Sequence, residues 1–136
     1  MSDRPWQTKR LPTRADVTAP DGSDVRVLLG APAGGMAHFE LAPGETSIAV
    51  VHRTVEEVWF VLRGQGQMWR RAGDAEEVVE LGPETCLTIP VGTPFQFRST
   101  GSEPLSAVAV TMPPWPGEGE AVATGGPWTP TVRGSG

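Results

Sequence analysis

Residues 43–66 read PGETSIAVVHRTVEEVWFVLRGQG, a pattern of short apolar runs bounded by turn residues. It contains two short apolar runs, SIAVV and VWFVL, that are rich in β-branched and aromatic residues and therefore favour strands. Glycine or Pro-Gly stands at each end, as is typical of strands joined by tight turns. His52 and Glu57 lie between and beside the runs. The stretch predicts two strands that carry one polar pair.

The same alternation of short apolar runs and turn residues extends over the middle of the chain. The 17 glycines and 14 prolines fall mostly between runs there, and no segment keeps helical apolar spacing over three turns. Nine segments have strand character: DVRVLLG, GMAHFELAPG, TSIAVVH, EVWFVLRG, GQMWRR, EEVVEL, CLTIP, FQFRS and LSAVAVTM. Evenly spaced short strands predict an all-β sandwich or barrel rather than βαβ units.

The chain of 136 residues has the length of one domain. We divide it into an irregular N-terminal arm (1–20), the strand-rich domain (21–112) and a Pro/Gly-rich C-terminal tail (113–136). The tail contains Trp115 and Trp128, and a fully solvated tail would rarely carry two tryptophans. We therefore expect the tail to be partly packed, in particular through Trp115.

Charge, cysteine content and the lack of long apolar runs indicate which partners and which cellular location to expect. The formal net charge is -5 and the 11 basic residues are scattered, which argues against nucleic acid and anionic membranes as partners. The single cysteine, Cys86, permits no internal disulfide. Residues 1–14 lack the apolar core of a secretion signal, and no apolar run approaches the roughly 20 residues of a membrane helix. These features predict a cytoplasmic protein.

Two segments, 44–64 and 84–99, resemble the two motifs of the cupin superfamily. In the first motif Gly44, His52, Glu57 and Gly64 stand at the family's spacing. In the second, Pro90 and Gly92 do so, while Glu84 stands at the place of the family's first glycine. The resemblance covers roughly residues 36–112. It implies a double-stranded β-helix, which is a jelly-roll β-barrel.

The resemblance also implies a metal site, and here the chain departs from the family. Cupins bind iron, manganese, nickel or zinc through three histidines and a glutamate. His52 and Glu57 match two of these positions, whereas Val50 and Phe95 replace the first and third histidines. Because tight transition-metal sites use at least three protein ligands, we expect the site to be degenerate and without a cofactor.

His52 and Glu57 leave three interpretations open. They form a satisfied structural pair, an acid–base pair in a ligand pocket, or a partial metal site in which water or substrate completes the coordination of a divalent transition metal. Strand periodicity places Val50 with His52, and Glu57 with Trp59, on faces that the cupin register directs inward. With Phe95 and Phe97, these residues are the candidate ligand-binding residues.

The remaining histidine and the cysteine receive structural interpretations. His38 alternates with Phe39, so we expect it to face solvent rather than to complete a ligand set. Cys86 is expected to be a buried structural residue, because nothing near it in sequence indicates a depressed thiol pKa.

Three functions remain open at this stage. The first is a small organic ligand held in the barrel, with His52 and Glu57 as general acid and base if the protein is an enzyme that isomerises or enolises a carbonyl compound. The second is a metal-dependent dioxygenase or isomerase. The third is a non-catalytic or structural protein whose barrel interior is filled. The resemblance also implies a homodimer, and the segment TMPPWPG (111–117) is expected either to cover the barrel mouth or to pack against the second subunit.

Overall fold

The computed structural model describes residues 5–134, and within this range the chain forms strands, turns and loops without a helix. No helix there is long and apolar enough to cross a membrane. The eleven strands are β1 (Val17–Thr18), β2 (Asp24–Ala31), β3 (Gly34–Leu41), β4 (Val50–His52), β5 (Glu56–Arg63), β6 (Gly66–Ala72), β7 (Ala75–Leu81), β8 (Cys86–Ile89), β9 (Phe95–Ser99), β10 (Leu105–Met112) and β11 (Ala121–Ala123).

The strands form two antiparallel sheets. Sheet 1 has six strands in the order β1-β2-β3-β10-β5-β8, and sheet 2 has five in the order β11-β4-β9-β6-β7. Consecutive strands β4 and β5, and β8 and β9, lie in different sheets, so the chain crosses repeatedly between them. This arrangement is the predicted jelly roll, built as two facing sheets rather than as one closed barrel.

Each of the nine segments predicted as strands contains a strand, although in TSIAVVH only Val50–His52 forms one, and the alternation of side chains along the strands sets the core. In β5, Glu57, Trp59 and Val61 are buried while Val58 and Phe60 are partly exposed. The inward side chains of both sheets form one apolar cluster that includes Leu41, Val61, Met68, Leu81, Ile89, Phe97 and Leu105. Burying each such side chain stabilises the fold by about 1.5–3 kcal/mol.

The N-terminal arm and the C-terminal tail each contribute one strand that the sequence did not predict. In the arm, β1 pairs with β2, and in the tail β11 pairs with β4. The side-chain amide of Gln96 donates to the main-chain oxygen of Trp128 (2.8 Å), and the guanidinium of Arg98 lies 4.1 Å from the Trp128 ring. The tail is thus packed along sheet 2.

Two predictions about single side chains are wrong. His38 was expected to face solvent, yet it is buried on the outer face of sheet 1. Arg26 lies against it (3.4 Å) and also donates to the main-chain oxygen of Pro12, so the N-terminal arm lies beside His38 on the β2–β3 part of this face. Cys86 was expected to be buried but is exposed, because β8 turns Leu87 and Ile89 inward and its other side chains outward.

Candidate functional site

Four positions singled out in the two motifs meet at one place between the sheets. In sheet 2, Val50 of β4 pairs with Phe95 of β9, and His52 stands two residues beyond Val50 on the same face. Glu57 is contributed by β5 of sheet 1. The short connection between β4 and β5 therefore brings His52 and Glu57 together from opposite sheets.

These side chains line a cavity of about 580 Å³. Its wall is mostly apolar and includes Val25, Leu29, Phe39, Val50, Trp59 and Phe95. Pro114, Trp115 and residues 117–119 of the tail also line the cavity, with the partly exposed Trp115 edge-on to His52 at a ring separation of 5.0 Å. Part of the TMPPWPG segment therefore contributes to the cavity wall.

His52 and Glu57 are close but form no hydrogen bond. His52 Nδ1 lies 3.6 Å from Glu57 Oε2, which exceeds hydrogen-bond length, and Nδ1 is buried without a partner. The other carboxyl oxygen of Glu57, Oε1, accepts a hydrogen bond from Trp59 Nε1 at 2.6 Å. Among residues 5–134, His52 Nδ1 is thus a buried polar atom without a hydrogen-bond partner beside the cavity.

Burial dominates the ionisation of both groups. It lowers the pKa of His52 to about 4, against the opposing effect of the Glu120 carboxylate. Burial also raises the pKa of Glu57 to about 7, although the hydrogen bond from Trp59 acts in the opposite direction and Asp21 adds to the rise. At neutral pH His52 is therefore uncharged, and its contact with Glu57 is not an ion pair.

The donor set does not fit a transition metal. Among residues 5–134, no group of three or more His, Cys, Asp or Glu side chains is arranged to hold a metal ion. The side chains beside His52 and Glu57 are those of Val50 and Phe95, which offer no lone pair, and the Phe95 ring lies 5.2 Å from the His52 ring. Two donors in an apolar wall would bind such a metal weakly.

The structure brings together five of the six residues predicted to line a pocket. Val50, His52, Glu57, Trp59 and Phe95 all line the cavity. Phe97 does not; it is 2% exposed and packs edge-on behind Trp59, with ring centroids 5.1 Å apart. Phe97 stands two residues beyond Phe95 in β9, where its side chain packs in the apolar core.

Sequence reasoning missed Asp21 and Phe39, which also line the cavity. Asp21 belongs to the sequence PDGS, which is typical of an exposed turn, yet its side chain is buried and accepts hydrogen bonds from Ser23 N and Oγ (2.9 and 2.6 Å). Phe39 could have been predicted as a cavity residue, because the alternation in β3 places it on the inner face. Its ring stacks on the Trp59 ring, with centroids 5.4 Å apart.

Comparison with known proteins identifies the family of this fold. The cupin domain family model matches residues 37–111, which is more than half of the chain. The chain belongs to the cupin family. No curated protein sequence matches it.

Solved structures give the same result for the fold. A double-stranded β-helix protein from Klebsiella pneumoniae subsp. pneumoniae is 19% identical with a TM-score of 0.62, and the alignment covers 76% of this chain and 85% of that one. A cupin 2 domain-containing protein from Halorhodospira halophila is 26% identical with a TM-score of 0.59, covering 67% and 64%. An oxalate oxidase is 23% identical with a TM-score of 0.65, covering 82% and 63%.

Proposed function

We propose that this cupin binds a small organic molecule in the cavity beside His52 and Glu57, without a transition metal held by the protein. The observation that carries the proposal is the cavity itself. Its volume of about 580 Å³ lies within the roughly 300–1,000 Å³ of small-molecule sites. An apolar wall with a few buried polar atoms is also the usual composition of such sites.

The cavity and the donor set weigh against the other two functions. A structural cupin with a filled interior would leave no room for a ligand, whereas this interior is open. A metal-dependent enzyme would need ligands where Val50 and Phe95 stand. Metal analysis of untagged protein tests the second point: near-stoichiometric iron, manganese, nickel or zinc that is lost in His52→Ala would contradict our proposal.

Nuclear magnetic resonance of the tryptophan indole N–H groups tests ligand binding directly. The Trp59 indole lies in the cavity wall, whereas the Trp69 indole donates to Glu76 (2.8 Å) outside it and serves as an internal control. Titration with small fragments is expected to shift the Trp59 signal and leave the Trp69 signal in place. A fragment set that shifts both signals equally, or neither, at millimolar concentration would contradict the proposal.

Proton transfer is the second candidate activity, and the raised pKa of Glu57 favours it. A carboxyl group with a pKa of about 7 can donate or accept a proton near neutral pH, and neutral His52 beside it can do the same. For a carbonyl ligand found in the fragment titration, we expect deuterium uptake from D2O at the adjacent carbon, lost in Glu57→Gln. Equal uptake with both proteins would contradict the acid–base role.

The homodimer also remains our proposal. On the outer face of sheet 1, Val58, Phe60 and Leu62 are about two-fifths exposed, at 38%, 41% and 43%. Phe60 is paired with Val108 of β10, which extends the apolar surface across two strands. Exposed apolar patches of this kind often mark protein contacts. Sedimentation of a monomer at tens of micromolar would contradict this proposal.

A further inference from the structure

The charged side chains that line the cavity are all acidic. Asp21, Glu57 and Glu118 line it, and within residues 5–134 the lining includes no lysine or arginine. His52 is the remaining ionisable group of the lining, and burial keeps it uncharged near neutral pH. A cleft lined by one sign of charge between apolar walls concentrates the field and favours ligands of the opposite sign.

Two of these carboxyl groups are buried without a cationic partner. Glu57 is 3% exposed, and its Oε2 faces the unpartnered Nδ1 of neutral His52. Asp21 is 6% exposed, and its hydrogen bonds come from Ser23. Burying a carboxylate without a counter-charge is costly, and burial raises the pKa of both groups. A cation placed in the cavity would supply the missing counter-charge.

Aromatic rings surround the same space. Phe39, Trp59, Phe95 and Trp115 all line the cavity. They form a continuous series of ring contacts: Phe39 stacks on Trp59 at 5.4 Å, and Trp59 meets Phe95 at 6.4 Å. His52 then connects Phe95 to Trp115. Aromatic side chains attract organic cations, and the attraction strengthens when water is excluded.

We infer that the ligand of this cavity is an organic cation, an amine or quaternary ammonium group carried on an apolar body, with Glu57 as its counter-charge. This inference rests on the proposed binding function and adds the ligand class. The same features select against carboxylates and phosphates, because an anion would meet Asp21, Glu57 and Glu118 and no positively charged side chain among the lining residues.

Three probes of similar shape test the ligand class: 2-phenylethylamine, 2-phenylethanol and phenylacetate. The measurement is made at pH 8, above the pKa of about 7 of Glu57, where the amine is still protonated. By calorimetry we expect the ammonium probe to bind at least about tenfold more tightly than the alcohol, and phenylacetate to bind more weakly than both. Benzyltrimethylammonium, whose charge does not depend on pH, is expected to behave like the amine.

A matched pair of variants identifies the counter-charge. Glu57→Gln removes the charge and keeps an oxygen for the Trp59 indole, so it should reduce the preference for the ammonium probe at least about tenfold while 2-phenylethanol still binds. Glu76→Gln changes the equivalent hydrogen bond to Trp69 outside the cavity and should leave the preference intact. This control separates a local charge effect from a general loss of acidic charge.

The outcomes distinguish the ligand class from the binding function. If 2-phenylethanol or phenylacetate binds as tightly as the ammonium probes and shifts the Trp59 indole signal, the cavity binds ligands but the cation inference is overturned. If none of the four probes binds, the cation inference is overturned as well, and the fragment titration decides the binding function by itself. An ammonium preference that is as large in Glu57→Gln as in the wild type would contradict the role of Glu57.

Discussion

Glu84 adopts a backbone conformation that suits glycine. Its φ is 72°, in the left-handed region, and it lies in the turn between β7 and β8 at the place of the family's first glycine in the second motif. A side chain in this region costs about 1–2 kcal/mol. The main chain is nevertheless anchored, since Glu84 N donates to Val61 O at 2.9 Å.

Replacing Glu84 should therefore distinguish glycine from other small residues. We expect Glu84→Gly to be more stable than Glu84→Ala by about 1 kcal/mol, because both remove the carboxylate but glycine also relieves the strained φ. Urea unfolding of the two variants measures the difference. The same pair at Glu118, a loop residue without positive φ, should show the opposite order; equal stabilities at position 84 would contradict the prediction.

Single residues also show how far the sequence could predict the site. Val50, His52 and Glu57 could be placed because strand periodicity and motif spacing fix which face they occupy. The burial of His38 could not be predicted, because periodicity gives the face of a sheet but not what covers that face. The arm residue Pro12, which lies near it, is 26 positions away in sequence. Cys86 was predictable in principle from the alternation with Leu87 in β8.

At the scale of elements, β4 owes its position to the tail. This strand has three residues, and it lies between β9 and β11. Ala121 of β11 pairs with His52, and the buried Glu120 carboxylate accepts hydrogen bonds from Thr54 N, Thr54 Oγ1 and Val55 N. The tail thereby fixes the connection between His52 and Glu57. Sequence could not predict β11, because AVA is too short a run to distinguish from the surrounding Gly- and Pro-rich loop.

The pairing of β4 with β9 also predicts how metal binding could be restored. Because Val50 and Phe95 are paired across these strands beside His52, the double variant Val50→His, Phe95→His would place three histidines and Glu57 around one point. We expect it to bind zinc or nickel with a stoichiometry near one, measured by calorimetry and elemental analysis of untagged protein. Each single variant would have three donors and should bind more weakly.

The control for restored binding is a third substitution. Adding His52→Ala to the double variant should greatly weaken the metal binding if the site is the one inferred. Metal binding that is unchanged by this addition would show that the new histidines act elsewhere on the surface. It would also show that β4 and β9 do not present their side chains to a common point.

For the molecule as a whole, alternating strands and turn residues predict an all-β sandwich or barrel with an apolar interior. They leave open whether that interior contains a cavity or is filled by side chains. Whether that interior is filled depends on how far apart the sheets lie and on which side chains reach across, as the difference between Phe95 in the cavity wall and Phe97 in the core shows. Both are buried phenylalanines on one face of β9.

The dependence of folding stability on pH is a whole-molecule consequence of the buried pair. Folded Glu57 keeps its proton up to about pH 7, compared with an ordinary 4.5, so the folded state binds more protons between these values and rising pH lowers stability. His52 acts in reverse. It is neutral in the folded state above about pH 4 but protonated in the unfolded state up to 6.5, so rising pH raises stability.

The contributions of Glu57 and His52 to the pH dependence of stability oppose each other between about pH 4.5 and 6.5, and single variants should separate them. In Glu57→Gln the His52 contribution remains, so the free energy of unfolding should rise from pH 4 to 6.5, by on the order of 2 kcal/mol relative to wild type. In His52→Asn the Glu57 contribution remains, so the free energy of unfolding relative to wild type should fall from pH 4.5 to 7 by a similar amount. Denaturant unfolding at each pH measures both, with Glu76→Gln expected to follow wild type. If both cavity variants also followed the wild-type profile, the pair would not be buried and uncharged in the way the cavity implies.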